Sequence, residues 1–342
     1  MPRNEKDSEL VLGLISTVGT DVDEVIKDIR NQLAFFRYET EVISVSQEII
    51  SQFETDEPKK WNTEFERISH YMDLGNEVRL NTKDNSILMK GVARQLYLHR
   101  QLDENGFAQP RKRTAYIVKS LKHPDEVRFM RDAYGDSFHL IGVTSSYDRR
   151  LKTLIERKGF SEGKAKELLE RDENEDLKQG QHTRDAFQHA DYFICVTEDT
   201  DQIYNSVERL VDLLFGNPFI SPNFDEYAMF MAYASSLRSA DLSRQIGAVI
   251  ARDNEILSMG ANDCPRAGGG LYWPLLKQHG KYEDEPQGRD YMCGYDSNKV
   301  EQKKIITALL STFDIEATDE NILKAKDAGI GDLTEYGRVV HG

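Results

Sequence analysis

Cysteine is scarce in this sequence. Cys195, Cys264 and Cys293 are the only three in 342 residues, and their wide spacing excludes the disulfide framework that staples small secreted domains. No apolar run approaches the ~20 residues of a membrane-spanning helix. Met1 to Glu9 carries charge where a signal peptide would have an apolar core. These absences predict a cytoplasmic protein with no membrane partner. Basic charge is also in deficit: 44 Lys and Arg stand against 59 Asp and Glu, a formal charge of −15. Nucleic-acid backbones need a basic face, so a general nucleic-acid scaffold is excluded. A small phosphorylated ligand held by a local Arg/Lys cluster is not. What remains is ordinary for a globular protein, with 30% charged and 39% hydrophobic residues and length enough for two domains, each with its own core.

Residues 1–216 read as alternating strands and helices. Leu10 to Ile15, Glu41 to Val45, Thr114 to Val118, Phe138 to Thr144 and Asp191 to Val196 are strand candidates. Val22, Val25, Ile26, Ile29, Leu33 and Phe36 keep one helical face, with Asp21 or Thr20 as candidate cap. Helical patterns also lie around Asp125 to Ala133, Tyr147 to Arg157 and Ile203 to Phe215. Such alternation predicts an α/β fold with a mostly parallel sheet covered on both faces. Residues 161–178, dense in charge, read as an exposed helix or flap. Turn residues at Gly216-Asn217-Pro218 mark a boundary. Residues 217–342 then change pattern. Phe224 to Ser239 predicts a helix carrying Tyr227, Phe230, Met231, Ala234 and Leu237 inward. Ile246 to Ala251 and Glu255 to Met259 predict a β-hairpin, and residues 267–300 a long loop.

Gly13 to Asp21 sits where the first strand meets a helix N-terminus, a geometry that favours anions. A Walker A loop reads G-x-x-x-x-G-K-[ST]. Aligned on Gly19, this chain has Leu14 for the first Gly, Thr20 for the Lys and Asp21 for the Ser/Thr. The lysine that would reach the phosphates is missing and Asp21 would repel them. Regulatory nucleotide binding, rather than phosphoryl transfer, is therefore the expectation for this half. Its candidate residues are Ser16, Thr17, Gly19 and Thr20 in the loop, with Arg111, Arg113 and Arg149 facing phosphate.

The most specific signal is Arg244-Gln245-Ile246-Gly247-Ala248-Val249-Ile250, continuing to Gly260-Ala261-Asn262-Asp263-Cys264-Pro265-Arg266. It resembles the opening of a cytidylate-type zinc deaminase, whose site goes on to an H-x-E element and P-C-x-x-C. Together with Gly13 to Asp21, Ile117 to Glu126 and Thr183 to Phe187, the chain resembles bacterial antiviral deoxycytidine nucleotide deaminases that carry a degenerate P-loop kinase-like domain in front. The resemblance implies hydrolytic conversion of dCTP or dCMP to deoxyuridine nucleotides, depleting the pool that a phage needs. It implies one Zn2+ with His341 as first ligand, and substrate contacts from Arg244, Gly247, Asn262 and Arg266. It also implies a homo-oligomer, a regulatory NTP at the N-terminal domain, and control by a regulatory RNA or a protein inhibitor. The general acid/base Glu of the family would fall beyond Gly342, as would the P-C-x-x-C cysteines. The expectation is thus a chain that ends inside the metal motif and is inactive alone. Cys264 and Cys293, with His279 between them, lack the spacing to substitute. A nucleotide-binding regulatory protein and a P-loop nucleotide or nucleoside kinase are the competing readings.

Overall fold

The computed structural model describes residues 7–54, 61–173, 182–242, 244–277 and 280–327. It divides into two compact units, Met1–Ile220 and Ser221–Gly342.

The first unit is built on five parallel strands: β1 (Leu10–Ser16), β2 (Glu39–Ser44), β3 (Thr114–Leu121), β4 (Phe138–Thr144) and β5 (Tyr192–Cys195), in the spatial order β2-β3-β1-β4-β5. Residues 10–15 of β1 are buried on both faces, as a central parallel strand must be. Its outward-alternating sets serve two cores. Leu10, Leu12 and Leu14 meet α1 (Val22–Phe35) and a C-terminal helix, Thr200–Leu214. Val11 and Ile15 meet the opposite layer. That layer contains α2 (Glu64–Thr82), α3 (Ile87–His99) and α4 (Pro124–Tyr134). The expected parallel sheet with helices on both faces is what the sequence folds into. Asp21 does stand at the N-cap of α1, yet its side chain caps nothing and pairs instead with Arg157.

After β4 come α5 (Tyr147–Lys152), continued by a wider turn at Thr153–Arg157, and α6 (Glu162–Glu173). Helix α6 is not simply an exposed, solvated segment. Ala165, Leu168 and Leu169 are buried against Met72, Leu154 and Phe160, with Val18 packed on the same cluster. A short helix α7 (Thr183–Phe187) precedes β5, and Thr200–Leu214 is α8.

Helix α4 starts on a His-Pro-Asp-Glu cap. His123 Nδ1 accepts from the Asp125 amide at 3.0 Å, and Glu126 closes a capping box. Glu126 is completely buried; it accepts from the Lys122 and His123 amides at 2.8 and 3.1 Å and from Arg79 at 2.8 Å. Burial pushes the His123 imidazole below its ordinary 6.5, while Glu126 and Asp125 pull the other way. A histidine depressed in the folded state stabilises it fully above its unfolded pKa, and that contribution is lost as pH falls through the folded value. We therefore expect the melting temperature to drop on acidification from neutral pH toward about pH 5. His123→Asn, which keeps a cap acceptor but cannot titrate, should drop less. Parallel melts with equal slopes would remove His123 from the acid response.

In the second unit, α9 (Phe224–Ser236) is capped by a reciprocal Asn223–Glu226 box and packs on an antiparallel hairpin, β6 (Gly247–Arg252) and β7 (Glu255–Ala261). Asp253 and Asn254 take positive φ at the hairpin turn, as the twist of a tight hairpin demands. The inward face expected for α9 is seen only in part. No residue of the helix is fully buried; Met231 and Ala234 are half-buried, whereas Tyr227, Phe230 and, just past the helix end, Leu237 are 48%, 63% and 69% exposed. Among the described residues, the hairpin covers only one side of α9. The expected long loop carries some order: a two-strand pairing of Leu275–Leu276 with Tyr282–Glu283 and the short α10 (Asp290–Cys293); beyond it follow α11 (Ser297–Thr312) and α12 (Asp319–Asp327).

Candidate functional site

Because the strands of the first unit are parallel, every strand-to-helix loop gathers at one edge. There the described residues form a cleft of about 1510 Å3, floored by the loop from Ser16 to Asp21 and walled by α1, the turn after β2, α2 and the end of β3. This is where open α/β sheets place their ligands.

The loop turns tightly. Thr20 N donates to the Thr17 carbonyl at 3.3 Å, and the two threonine hydroxyls lie 3.2 Å apart. Gly19 has φ +84°, and a Cβ there would stand 2.9 Å from the Arg150 carbonyl oxygen. The glycine is thus needed both for its backbone angle and for the close approach of α5. The Val18 amide donates to Asp172 Oδ2 at 2.7 Å. Lys122, at the end of β3, reaches across with Nζ 2.8 Å from the Ser16 carbonyl and 3.2 Å from Asp172 Oδ1. The Val18 amide of the loop and Lys122 therefore share one buried carboxylate of α6.

Several other cations of the cleft are similarly matched, although Lys27 and Arg30 also line it and Arg30 donates to the Thr40 hydroxyl at 3.1 Å. Arg157 pairs with Asp21, Lys119 with Asp23, Arg67 with Glu64 at 2.6 Å and Arg79 with Glu126 at 2.8 Å. The Arg67 guanidinium holds the Glu64 carboxyl below the usual carboxylate range. A polyphosphate entering here must compete with the protein's own acids.

Of the expected phosphate-facing residues, Ser16, Thr17, Gly19 and Thr20 line this cleft. Arg149 lies on α5 beside the loop, but its guanidinium pairs with Glu198 at 2.9 Å. Arg111 and Arg113 are a correction. Both precede β3, at the opposite end of the sheet, about 20 Å away along the ~3.3 Å rise of a strand. Arg111 binds Glu41 and, through its amide, Glu9 at 2.8 Å, while Arg113 binds Asp7 at 2.6 Å and the Phe36 carbonyl at 3.1 Å. They fasten the sheet's far edge. Local basic density drew attention to them, and parallel strand direction separates them from the loop. Lys122 and Asp172 were missed because neither occupies a Walker position. Lys122 could have been noticed as the residue just ahead of the His-Pro-Asp-Glu cap. Asp172 gave no signal within a charge-dense stretch.

In the second unit the hairpin ends are locked together. Asn262 Oδ1 accepts from the Ile246 amide at 2.7 Å, and its Nδ2 donates to the Arg244 carbonyl at 2.7 Å. Both ends of the amide thus clamp the strand entry, so Asn262 organises the motif as well as standing in it. Gly247 is the contact point of helix and hairpin: an added Cβ would fall 1.9 Å from the Ala232 carbonyl oxygen and 2.4 Å from the Ser236 amide. Its role here is close packing, not an open face toward a ligand. The Arg244 side chain is exposed, and Arg266 is exposed, 3.8 Å from Glu285. A buried network that sequence reading did not anticipate holds the following segment. Arg289 reaches Asp263 at 3.1 Å and the Arg238 carbonyl at 2.6 Å, and the Arg238 guanidinium lies 4.0 Å over the Trp273 ring.

His341 and His279 lie outside the described residues. Among the described residues no three His, Cys, Asp or Glu side chains gather as a metal site. Cys264 is half-buried, Cys293 is exposed and neither is in a disulfide. The described residues therefore do not by themselves fit a zinc ion. Nor is any described helix long and apolar enough to cross a membrane.

No family model matches this chain, and no curated protein matches it. Among solved structures, a shikimate kinase from Bacteroides thetaiotaomicron aligns at 14% identity and TM-score 0.35, over 60% of this chain and 98% of that one. A gluconokinase from Sinorhizobium meliloti 1021 aligns at 10% and 0.35, over 61% and 95%. A shikimate kinase from Aquifex aeolicus aligns at 10% and 0.32, over 62% and 100%. The chain combines a parallel α/β unit with a separate helix–hairpin unit.

Proposed function

We propose that this chain is a deoxycytidine nucleotide deaminase of antiviral defence, acting on dCTP or dCMP, with its kinase-like unit as a nucleotide-responsive partner domain. The observation that carries the reading is the joint between α9 and the hairpin. Gly247 touches the backbone of α9, and the Asn262 amide fixes the strand entry. These are the residues of the R-x-x-G-A-V-I and G-x-N-x-x-P-R elements on which the family resemblance rests. Arg244 and Arg266, both exposed, are the proposed phosphate contacts, since guanidinium forks suit phosphate oxygens. The reaction adds water at C4 of cytosine, breaks the C4–N bond and releases ammonia, leaving a uracil nucleotide. The resemblance brings one Zn2+ with it, held in part by His341; bound zinc would supply an activated water at neutral pH. A homo-oligomer, a cytoplasmic location and a regulatory RNA or protein inhibitor belong to the same proposal.

The cleft of the first unit favours a second reading, a P-loop nucleotide or nucleoside kinase. Thr20 in place of the loop lysine and Asp172 in place of a bound phosphate weigh against phosphoryl transfer there. The test is chromatographic. The natural full-length protein, loaded with Zn2+, is incubated with dCTP, dCMP and deoxycytidine, with a chelator-treated sample alongside. Uracil products that vanish with chelation are expected; three unchanged substrates from zinc-loaded protein would refute the reading.

A further inference from the structure

The phosphate loop of the first unit is already occupied, and its occupant belongs to the chain. We infer that Asp172 is a resident anion that stoppers the loop, so that a nucleotide triphosphate binds there only by displacing helix α6. This inference does not depend on the deaminase reading.

Three observations converge. The Asp172 side chain is fully buried, and each of its oxygens meets a donor that a phosphate would use: the loop amide of Val18 at 2.7 Å and the Lys122 ammonium at 3.2 Å. Lys122 also holds the Ser16 carbonyl at 2.8 Å. A lysine from the end of β3 thus stands over the loop where the loop's own lysine is missing, and it is neutralised by the stopper. Third, the contact is seated by packing. Val18 joins the apolar cluster made by Leu168, Leu169, Phe160 and Met72, so the loop and α6 are held as one piece. Without the carboxylate, the loop would present the Val18 N–H unpaired and the Lys122 ammonium without a counter-charge, which attract anions. The carboxylate satisfies both and repels a second negative charge. The large cleft beside it gives displaced phosphate groups and the rest of a nucleotide somewhere to sit.

Affinity for ATP, used as the probe, decides the matter. Asp172→Asn keeps the shape and removes the charge, releasing Lys122. It should bind ATP at least about tenfold more tightly than wild type by calorimetry. Adding Lys122→Met to that variant should return affinity to the wild-type level or below. A folded Asp172→Asn protein with unchanged ATP affinity overturns the proposal. A second readout uses the unaltered protein, in case the variant does not fold. Amide exchange across residues 162–173 in millimolar ATP should rise as α6 leaves the loop, and exchange indifferent to ATP overturns the proposal equally.

Discussion

Glu126→Ala is expected to cost the first unit about 3–5 kcal/mol of unfolding free energy, the penalty for stranding a buried charge. Arg79 and Glu126 are 2% and 0% exposed. Removing the carboxylate leaves the guanidinium without its 2.8 Å partner and orphans the Lys122 and His123 amides at the start of α4. The damage should spread to the cleft, because Lys122 is held by the same carboxylate through its backbone. Glu126→Gln combined with Arg79→Met should recover more than half of the loss, since the amide oxygen still accepts from the helix N-terminus and no unpaired charge remains. Urea unfolding of the wild type and the two variants measures this. A Glu126→Ala protein within about 1 kcal/mol of wild type would show that the pair is not where the layer's stability resides.

Gly247→Val is the second large effect. The added Cβ would stand 1.9 Å from a helix carbonyl oxygen and 2.4 Å from a helix amide; these are backbone atoms, so no flexible side chain can swing away. Helix α9 must lift off the hairpin, a loss of about 1–3 kcal/mol or more for forced overpacking. On the proposed function, deamination should disappear with it. Gly260, on the partner strand, supplies the control: nothing lies within 4 Å of its Cβ position, so Gly260→Ala should stay within about 0.5 kcal/mol. Equal stability of the Gly247 and Gly260 variants in thermal melts would contradict the packing role assigned to Gly247.

The sheet of the first unit was legible because its three central strands are buried on both faces and read as short apolar runs between turns. Helix α1 was legible because Val22, Val25, Ile26, Ile29 and Leu33 all face one core. Helices α2 and α3 were not read. The side chains of α2 divide among different surroundings. Met72 joins the cluster under α6, Val78 the layer on the sheet, and Arg79 a buried ion pair, so no single stripe repeats. Legibility of the candidate site stopped at the loop's own letters. Its glycine and threonines are local in sequence, but Lys122 and Asp172 lie 106 and 154 residues from the loop residues they bind. No spacing rule reaches that far. The opposite error arose at Arg111 and Arg113, where dense local charge stood at the wrong end of a parallel strand. In the second unit the motif and the hairpin coincide, and what sequence did not foretell was how much of the apolar face of α9 stays exposed.

The most direct measurement sets the two chemistries side by side: the natural full-length protein, zinc-loaded and incubated with dCTP, dCMP and radiolabelled ATP, with uracil nucleotide, ammonia and transferred phosphate counted in one reaction. One ammonia for each uracil nucleotide, with no phosphoryl transfer, is the predicted result. Phosphoryl transfer with cytosine left intact would contradict it and hand the function to the cleft of the first unit.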